Sequence, residues 1–298
     1  MDLRGSFTAL ITPFCGETID EEGFVYNIKR QLDGGSRGVV VMGSTGESAT
    51  LFDEEKKRLV QLAVQEAKGK MMVIAGTGCN STSRTILQTL QAEKLGADAA
   101  LVVTPYYNRP TQEGIYRHFK AISEACSLPL IVYNVASRTG TNIETSTLLR
   151  IADLPTVVGV KEASGNMLQV MEVVQSVKSR HPDFQVLSGD DILTLPMISV
   201  GACGAISILG NLLPAEMSAL VKAALSCDFT AAKEIHFCLH PLFKLETVEV
   251  NPIPIKEMMR LMNFPSGLCR LPLCELLEEN RERVKKQLIQ MKLIRPLE

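Results

Sequence analysis

The 298-residue chain carries 31 basic and 33 acidic residues, mixed along its length, for a formal net charge of −2. That excludes the like-charge blocks by which proteins hold nucleic acid or membrane surfaces, and no run of about 18 apolar residues exists to cross a bilayer. Apolar residues make up 46% but aromatics only 5%, so Val, Ile, Leu, Ala and Met must fill the core.

The opening stretch "MDLRGSFTALITPF" has an acid at position 2 and no cationic run, which predicts a first strand over 6–13 and not a signal peptide. Similar β-rich runs recur at 38–44, 71–78, 99–107, 128–135, 156–163, 184–191 and 204–211. Like parallel strands buried on both faces, most of them lack apolar–polar alternation. Helical patterns fill the gaps. "FDEEKKRLVQLAVQEAKGK" offers Asp53 as a cap, acids in the first turn, and Leu59, Ala63, Val64 and Ala67 on one face. "TQEGIYRHFKAISEA" starts at Thr111 and repeats Ile115, Phe119 and Ile122 at helical spacing; "NMLQVMEVVQSVKSR" does so with Leu168, Met171, Val174 and Val177. Eight strand–helix alternations in the first 225 residues are the arithmetic of an α/β fold, the (β/α)8 TIM barrel. A doubly wound open sheet would more usually stop at five or six strands.

Past residue 211 the strand signal fades. Residues 1–225 read as a catalytic barrel and 226–298 as a small all-helical C-terminal domain. Helix breaks are expected at Pro241 and around Asn251-Pro252, and a strongly amphipathic last helix over 271–292. The eight cysteines include no C-x-x-C pair, which predicts reduced thiols in a cytoplasmic protein.

In a barrel of this type the site lies at the C-terminal ends of the strands. The polar residues there are Thr12, Ser44, Thr45, Thr77, Thr104, Tyr106, Tyr107, Tyr133, Asn134, Lys161, Ser188, Asp190 and Ser207. Hydroxyls, tyrosines and one amine stand out, with no cluster of histidines and carboxylates. A lysine amine is a nucleophile only when neutral, and an ordinary pKa of about 10.4 leaves little neutral amine at pH 7. Dry surroundings disfavour an ammonium, so a lysine ending the apolar "VVGV" suits attack on a ketone to form a Schiff base. A strand-end lysine that merely reaches water is the alternative. "GSTGES" (43–48) can turn backbone N–H groups and hydroxyls toward an anion. In "YNVASRTG" (133–140), Tyr133 can shuttle protons and Arg138 can hold a carboxylate, unless they serve only core packing and a surface ion pair.

Taken in order on successive strands, "GSTGES", "TPYYNRP" (104–110), "YNVASRTG" and "VKEASG", with "LSGDD" and "NPIPIK" beyond them, resemble the dihydrodipicolinate synthase family. The superfamily includes N-acetylneuraminate lyase, and the resemblance spans essentially the whole chain. It implies that Lys161 condenses with pyruvate and that the enamine attacks L-aspartate 4-semialdehyde, on the route to diaminopimelate and lysine. Tyr133 would relay protons, with Ser44 and Tyr107 completing a hydroxyl chain. Thr45 would hold the pyruvate carboxylate and Arg138 that of the semialdehyde, while main chain at Gly189, Ile206 and Ile208 lines the pocket. The same resemblance implies a homodimer or a dimer of dimers, with Tyr107 reaching into a neighbouring subunit; no cofactor or metal is expected.

Departures from the family pattern are few. Ser44 stands where threonine is common, and Ala136 where proline is usual, which loosens the turn carrying Arg138 and is expected to weaken semialdehyde binding at most. Lysine-inhibited relatives typically have Glu at the position of Arg84 and His at those of Asp53 and Lys56, while Ser48, Ala49, Asn80 and Tyr106 match. Weak or absent inhibition by lysine is therefore expected. A sister keto-acid lyase is the nearest rival reading, and a non-catalytic binder is disfavoured by the intact lysine, tyrosines and arginine. A metal-dependent aldolase would have to rest on His236 and His240, away from the expected barrel mouth.

Overall fold

Eight parallel strands close on themselves in the computed structural model, which describes residues 1–295. They are β1 (Gly5–Ala9), β2 (Gly38–Val41), β3 (Met72–Gly76), β4 (Ala99–Val103), β5 (Leu130–Asn134), β6 (Val157–Glu162), β7 (Gln185–Ser188) and β8 (Gly204–Ser207). Because β1 pairs with both β8 and β2, the barrel sheet itself has no open edge. The first strand stops before its apolar run does. Leu10 still donates its N–H to the Val40 carbonyl, while Ile11 has left the ladder and bonds the Asn211 side chain, and both stay buried at the barrel mouth.

The apolar residues form two shells. Phe7, Val40, Ile74, Leu101, Ile131, Leu187 and Ile206 fill the barrel interior, while Val39, Val41, Val73, Val102, Val132 and Val160 face the surrounding helices. Side chains alternate along each strand, so β5 sends Ile131 and Tyr133 inward and Leu130, Val132 and Asn134 outward. One irregularity matters. Leu130 pairs with Val157, but Ile131 pairs with Gly159, so β6 carries an extra residue opposite β5. Past that bulge Tyr133 pairs with Lys161 and Asn134 with Glu162.

The helices are α1 (Glu21–Asp33), α2 (Asp53–Ala67), α3 (Thr82–Lys94), α4 (Gln112–Ala125), α5 (Ala136–Thr139), α6 (Thr145–Ala152), α7 (Met167–Arg180), α8 (Thr194–Ser199), α9 (Pro214–Leu225), α10 (Phe229–Leu245), α11 (Ile253–Leu261) and α12 (Glu278–Gln290). The signals for α4 hold: Thr111 accepts the Gly114 N–H, and Ile115, Phe119 and Ile122 are fully buried.

Four details differ from the sequence expectations. The cap of α2 is Phe52, whose N–H is taken by Glu55, and Asp53 is the first helical residue. On α7 the buried stripe is Val170, Val173, Val174 and Val177, leaving Leu168 and Met171 exposed, because the barrel meets the face one residue round. Pro241 does not break α10; it sits four residues after the exposed Phe237, whose carbonyl therefore loses its helical partner on the solvated side. The last helix starts at Glu278, not near 271, because Arg270 is tied back onto the barrel loops and the chain must first climb away from them. After α9 the described chain is helical or irregular, as expected for 226–298, of which 296–298 lie outside the described residues.

Candidate active site

Lys161 is the last residue but one of β6, with its side chain inside the barrel and only 5% exposed. Its amine lies 4.4 Å from the centroid of the Tyr133 ring, and Tyr133 is itself 7% exposed. The pairing Val103–Tyr133–Lys161–Leu187 runs across four adjacent strands, so these side chains share one inward-facing layer at the top of the barrel. The bulge in β6 is what places the lysine there. Unbroken pairing would set Lys161 opposite Asn134, on the helix-facing side.

Room for the lysine stem comes from the next strand. A Cβ at Gly189 would lie 2.9 Å from Lys161 Cε and 2.8 Å from Ala163 Cβ, too close for any side chain. Gly189 donates its N–H to the carbonyl of Glu162, which holds the two loops together. Ile206 faces the barrel interior beside this layer, whereas Ile208 packs into the outer shell and offers the site only main chain. The Ile208 and Leu209 N–H groups bond the Asp191 carboxylate at 2.7 and 2.8 Å.

The "GSTGES" turn follows β2. Its Gly46, Glu47 and Ser48 N–H groups are already bonded to carbonyls of Gly43 and Ser44. An anion would therefore depend on the Ser44 and Thr45 end of the turn, a narrower donor set than the sequence suggests. Buried Thr45 accepts a hydrogen bond from Asn251 Nδ2 at 2.9 Å, and Arg138 donates from Nη2 to the Asn251 carbonyl at 3.2 Å. One residue of the C-terminal helical region thus joins the two expected carboxylate-binding side chains. Arg138 rides on α5, a single turn closed by Gly140.

Glu47 and Lys256 were not singled out as site residues, although both lie within quoted motifs. Lys256 bonds Glu47 at 2.7 Å and the carbonyls of Thr12 and Leu268 at 3.0 and 2.9 Å. Glu47, at φ 54°, also accepts the Arg270 N–H at 3.0 Å. An acid in a tight glycine-rich turn and a lysine in a proline-rich one are the available signals. Their separation of 209 residues hid the partnership.

A cleft of 620 Å³, a size typical of small-molecule sites, opens beside Val103 of this layer, although neither Lys161 nor Tyr133 lines it. Ser44, Arg138 and Asn251 line one part of it, with Val103, the strand partner of Tyr133, on its wall. Asp53, Lys56, Arg84, Asn80 and Tyr106 line the other part. Lys56 lies 4.0 Å from Asp53, and burial pushes the Tyr106 phenol up while the Arg84 charge pulls it back. A larger cleft sits at the opposite end, among strand starts such as Val157 and Gln185, and holds none of these groups. Tyr107 is not brought to the amine within one chain; it projects into solvent, 89% exposed, at φ 72°. His236 and His240 lie on α10, where His236 packs against Phe243.

Comparison with known proteins gives the family and the fold. The profile described as the dihydrodipicolinate synthetase family matches residues 2–291. A 4-hydroxy-tetrahydrodipicolinate synthase of Protochlamydia amoebophila is 51% identical over 285 residues, covering 95% of either chain. The crystal structure of the dihydrodipicolinate synthase of Thermotoga maritima superposes with a TM-score of 0.96 at 41% identity, over 99% of this chain and 100% of that one. The chloride-inhibited enzyme of Acinetobacter baumannii, crystallised with pyruvate, gives a TM-score of 0.95 at 37% identity, over 98% and 100%.

Proposed function

The chain belongs to the dihydrodipicolinate synthetase family, and on that premise we propose how its residues carry out the family reaction. The reaction is the lyase-type condensation of pyruvate with L-aspartate 4-semialdehyde to 4-hydroxy-tetrahydrodipicolinate, toward diaminopimelate and lysine. The observation that carries the assignment of roles is the Lys161 amine held inside the barrel over the Tyr133 ring.

The neutral amine of Lys161 attacks the pyruvate ketone, and loss of water from the carbinolamine leaves a Schiff base. Removal of a methyl proton gives the enamine, whose carbon attacks the semialdehyde carbonyl. The semialdehyde amino group then adds to the imine carbon and displaces the lysine, closing the ring and regenerating the free amine. Tyr133 is beside every one of these proton transfers, with Ser44 as the next hydroxyl toward the cleft. Thr45 and main chain at Gly189, Ile206 and Ile208 seat pyruvate, and Arg138 holds the semialdehyde carboxylate as a bidentate partner. The helical region from 226 onward acts as a clamp on the mouth through Asn251.

Tyr107 completes the relay in a neighbouring subunit of a dimer of dimers. Its exposure, and that of Leu168, Met171 and Leu271, supports self-association. The setting is the cytoplasm: all eight cysteines are free thiols, and among the described residues no helix is long and apolar enough to cross a membrane.

Borohydride reduction in the presence of pyruvate, followed by peptide mapping, tests the assignment. The expected product is pyruvate fixed to Lys161; label elsewhere, or none, refutes it. Turnover of N-acetylneuraminate in place of the semialdehyde would instead point to the sister lyases.

A further inference from the structure

Two buried acids outside the reacting groups link the C-terminal helices to the barrel mouth. Asp191 starts the turn after β7, and Glu246 follows the last residue of α10. Asp191 Oδ2 is spent on the N–H groups of Ile208 and Leu209. Its other oxygen, Oδ1, and Glu246 Oε1 are both sealed from solvent with no N–H or O–H donor among the described residues. The turn that carries Asp191 packs against α10, and the Asp191 carboxyl is among the groups that act on Glu246. Carboxylates only accept, so such a pair is stable only when one carboxyl keeps its proton and donates it. Burial first, and the charges of Asp191 and Asp190 with it, push Glu246 well above the usual carboxylate range, so Glu246 is the acid that stays protonated.

We propose that Glu246 is a positioning residue for the condensation: its carboxyl O–H donates to Asp191, which in turn fixes the Ile208–Leu209 backbone at the edge of the substrate pocket. The Ile208 N–H belongs to the Ser207–Ile208 peptide, whose carbonyl must point the opposite way. Tying that N–H to Asp191 therefore sets the direction of the Ser207 carbonyl as well. Glu246 leaves Asp191 with both oxygens satisfied and one negative charge, in place of two adjacent charges in a dry site. A helix outside the barrel thereby controls main chain inside the pocket. The inference rests on the assignment of Lys161 and the 206–208 backbone as the pyruvate site.

Glu246→Gln and Glu246→Leu separate the donor from the volume. Glutamine still donates, and its KM for pyruvate is expected within about threefold of the unmodified enzyme; leucine cannot, and a rise of about tenfold is expected with kcat changed less than about threefold. Borohydride trapping on Lys161 at saturating pyruvate should survive in both. A folded leucine variant with an unchanged KM overturns the proposal, and so does a glutamine variant as impaired as leucine. If the leucine variant does not fold, Glu246→Asp decides: drawing the acid back one methylene should raise KM about fivefold, and no change refutes the coupling. Failure of the unmodified enzyme to trap pyruvate on Lys161 would strike the site assignment itself, a separate outcome.

Discussion

Two lysines are buried at the mouth of this barrel, and they are held in opposite ways. Lys256, 2% exposed, has an acceptor for each ammonium proton: the Glu47 carboxylate and the carbonyls of Thr12 and Leu268. Lys161, 5% exposed, sits against the Tyr133 ring and beside the space left by Gly189. Burial pulls the Lys256 ammonium down, while the Glu47 charge pulls it back up. Its hydrogen bonds all require the protonated form, so it serves as a fixed cation. Among the described residues no carboxylate forms an ion pair with Lys161, as Glu47 does with Lys256. Burial alone does not make a lysine a nucleophile. The partners it is given decide.

The largest expected effect lies on the Lys161 side of this contrast. Lys161→Ala should lower kcat more than about a thousandfold and abolish trapping of pyruvate. Its denaturant midpoint should stay near that of the unmodified protein, as measured by urea unfolding. The mirror result is expected for Lys256→Met, which strands Glu47 in the interior and should cost about 3–5 kcal/mol of stability. Its folded fraction should still trap pyruvate on Lys161. If Lys256→Met abolished trapping with stability intact, the division of labour between the two lysines would collapse.

Smaller effects test the surroundings of the same mouth. Position 136 is the first residue of α5, where a proline costs no helical bond. Ala136→Pro should therefore stiffen the turn under Arg138 and lower the KM for the semialdehyde about two- to threefold, read from initial rates. An unchanged KM would mean that the Arg138–Asn251 contact already holds the turn. The smallest expected effect is that of free lysine. Its ammonium would meet Arg84 and Lys56 in the cleft, and Asp53 is already paired with Lys56. No inhibition is expected below about 1 mM lysine in a coupled assay. Inhibition below that level would show that the cleft accommodates a further cation after all.

Strand ends were the most legible part of the site. Lys161, Tyr133, Thr45 and Ser44 could be picked out because each follows an apolar run that can only be a buried strand, and polar residues there face the barrel mouth. Asn251 was hidden by contrast, since its contacts with Thr45 and Arg138 depend on how a late loop folds back over early ones. On α7 Val174 and Val177 are buried as expected, but the first half of the stripe is misplaced because Leu168 and Met171 are as hydrophobic as the valines that are buried. Hydrophobicity marks which side chains avoid water, not which neighbour covers them.

Periodicity along the chain was enough to determine the barrel, its eight strands, the helical region after it and the strand-end position of Lys161. These are local properties, written in the spacing of apolar residues within each element. Only the tertiary structure decided that the extra residue in β6 sets Lys161 opposite Tyr133 and not Asn134. It alone also decided that Glu47 is neutralised by a lysine 209 residues away. The physical reason is the same in both cases. Register and ion pairing are relations between segments distant in sequence, and they come into being only when the closed barrel brings those segments together.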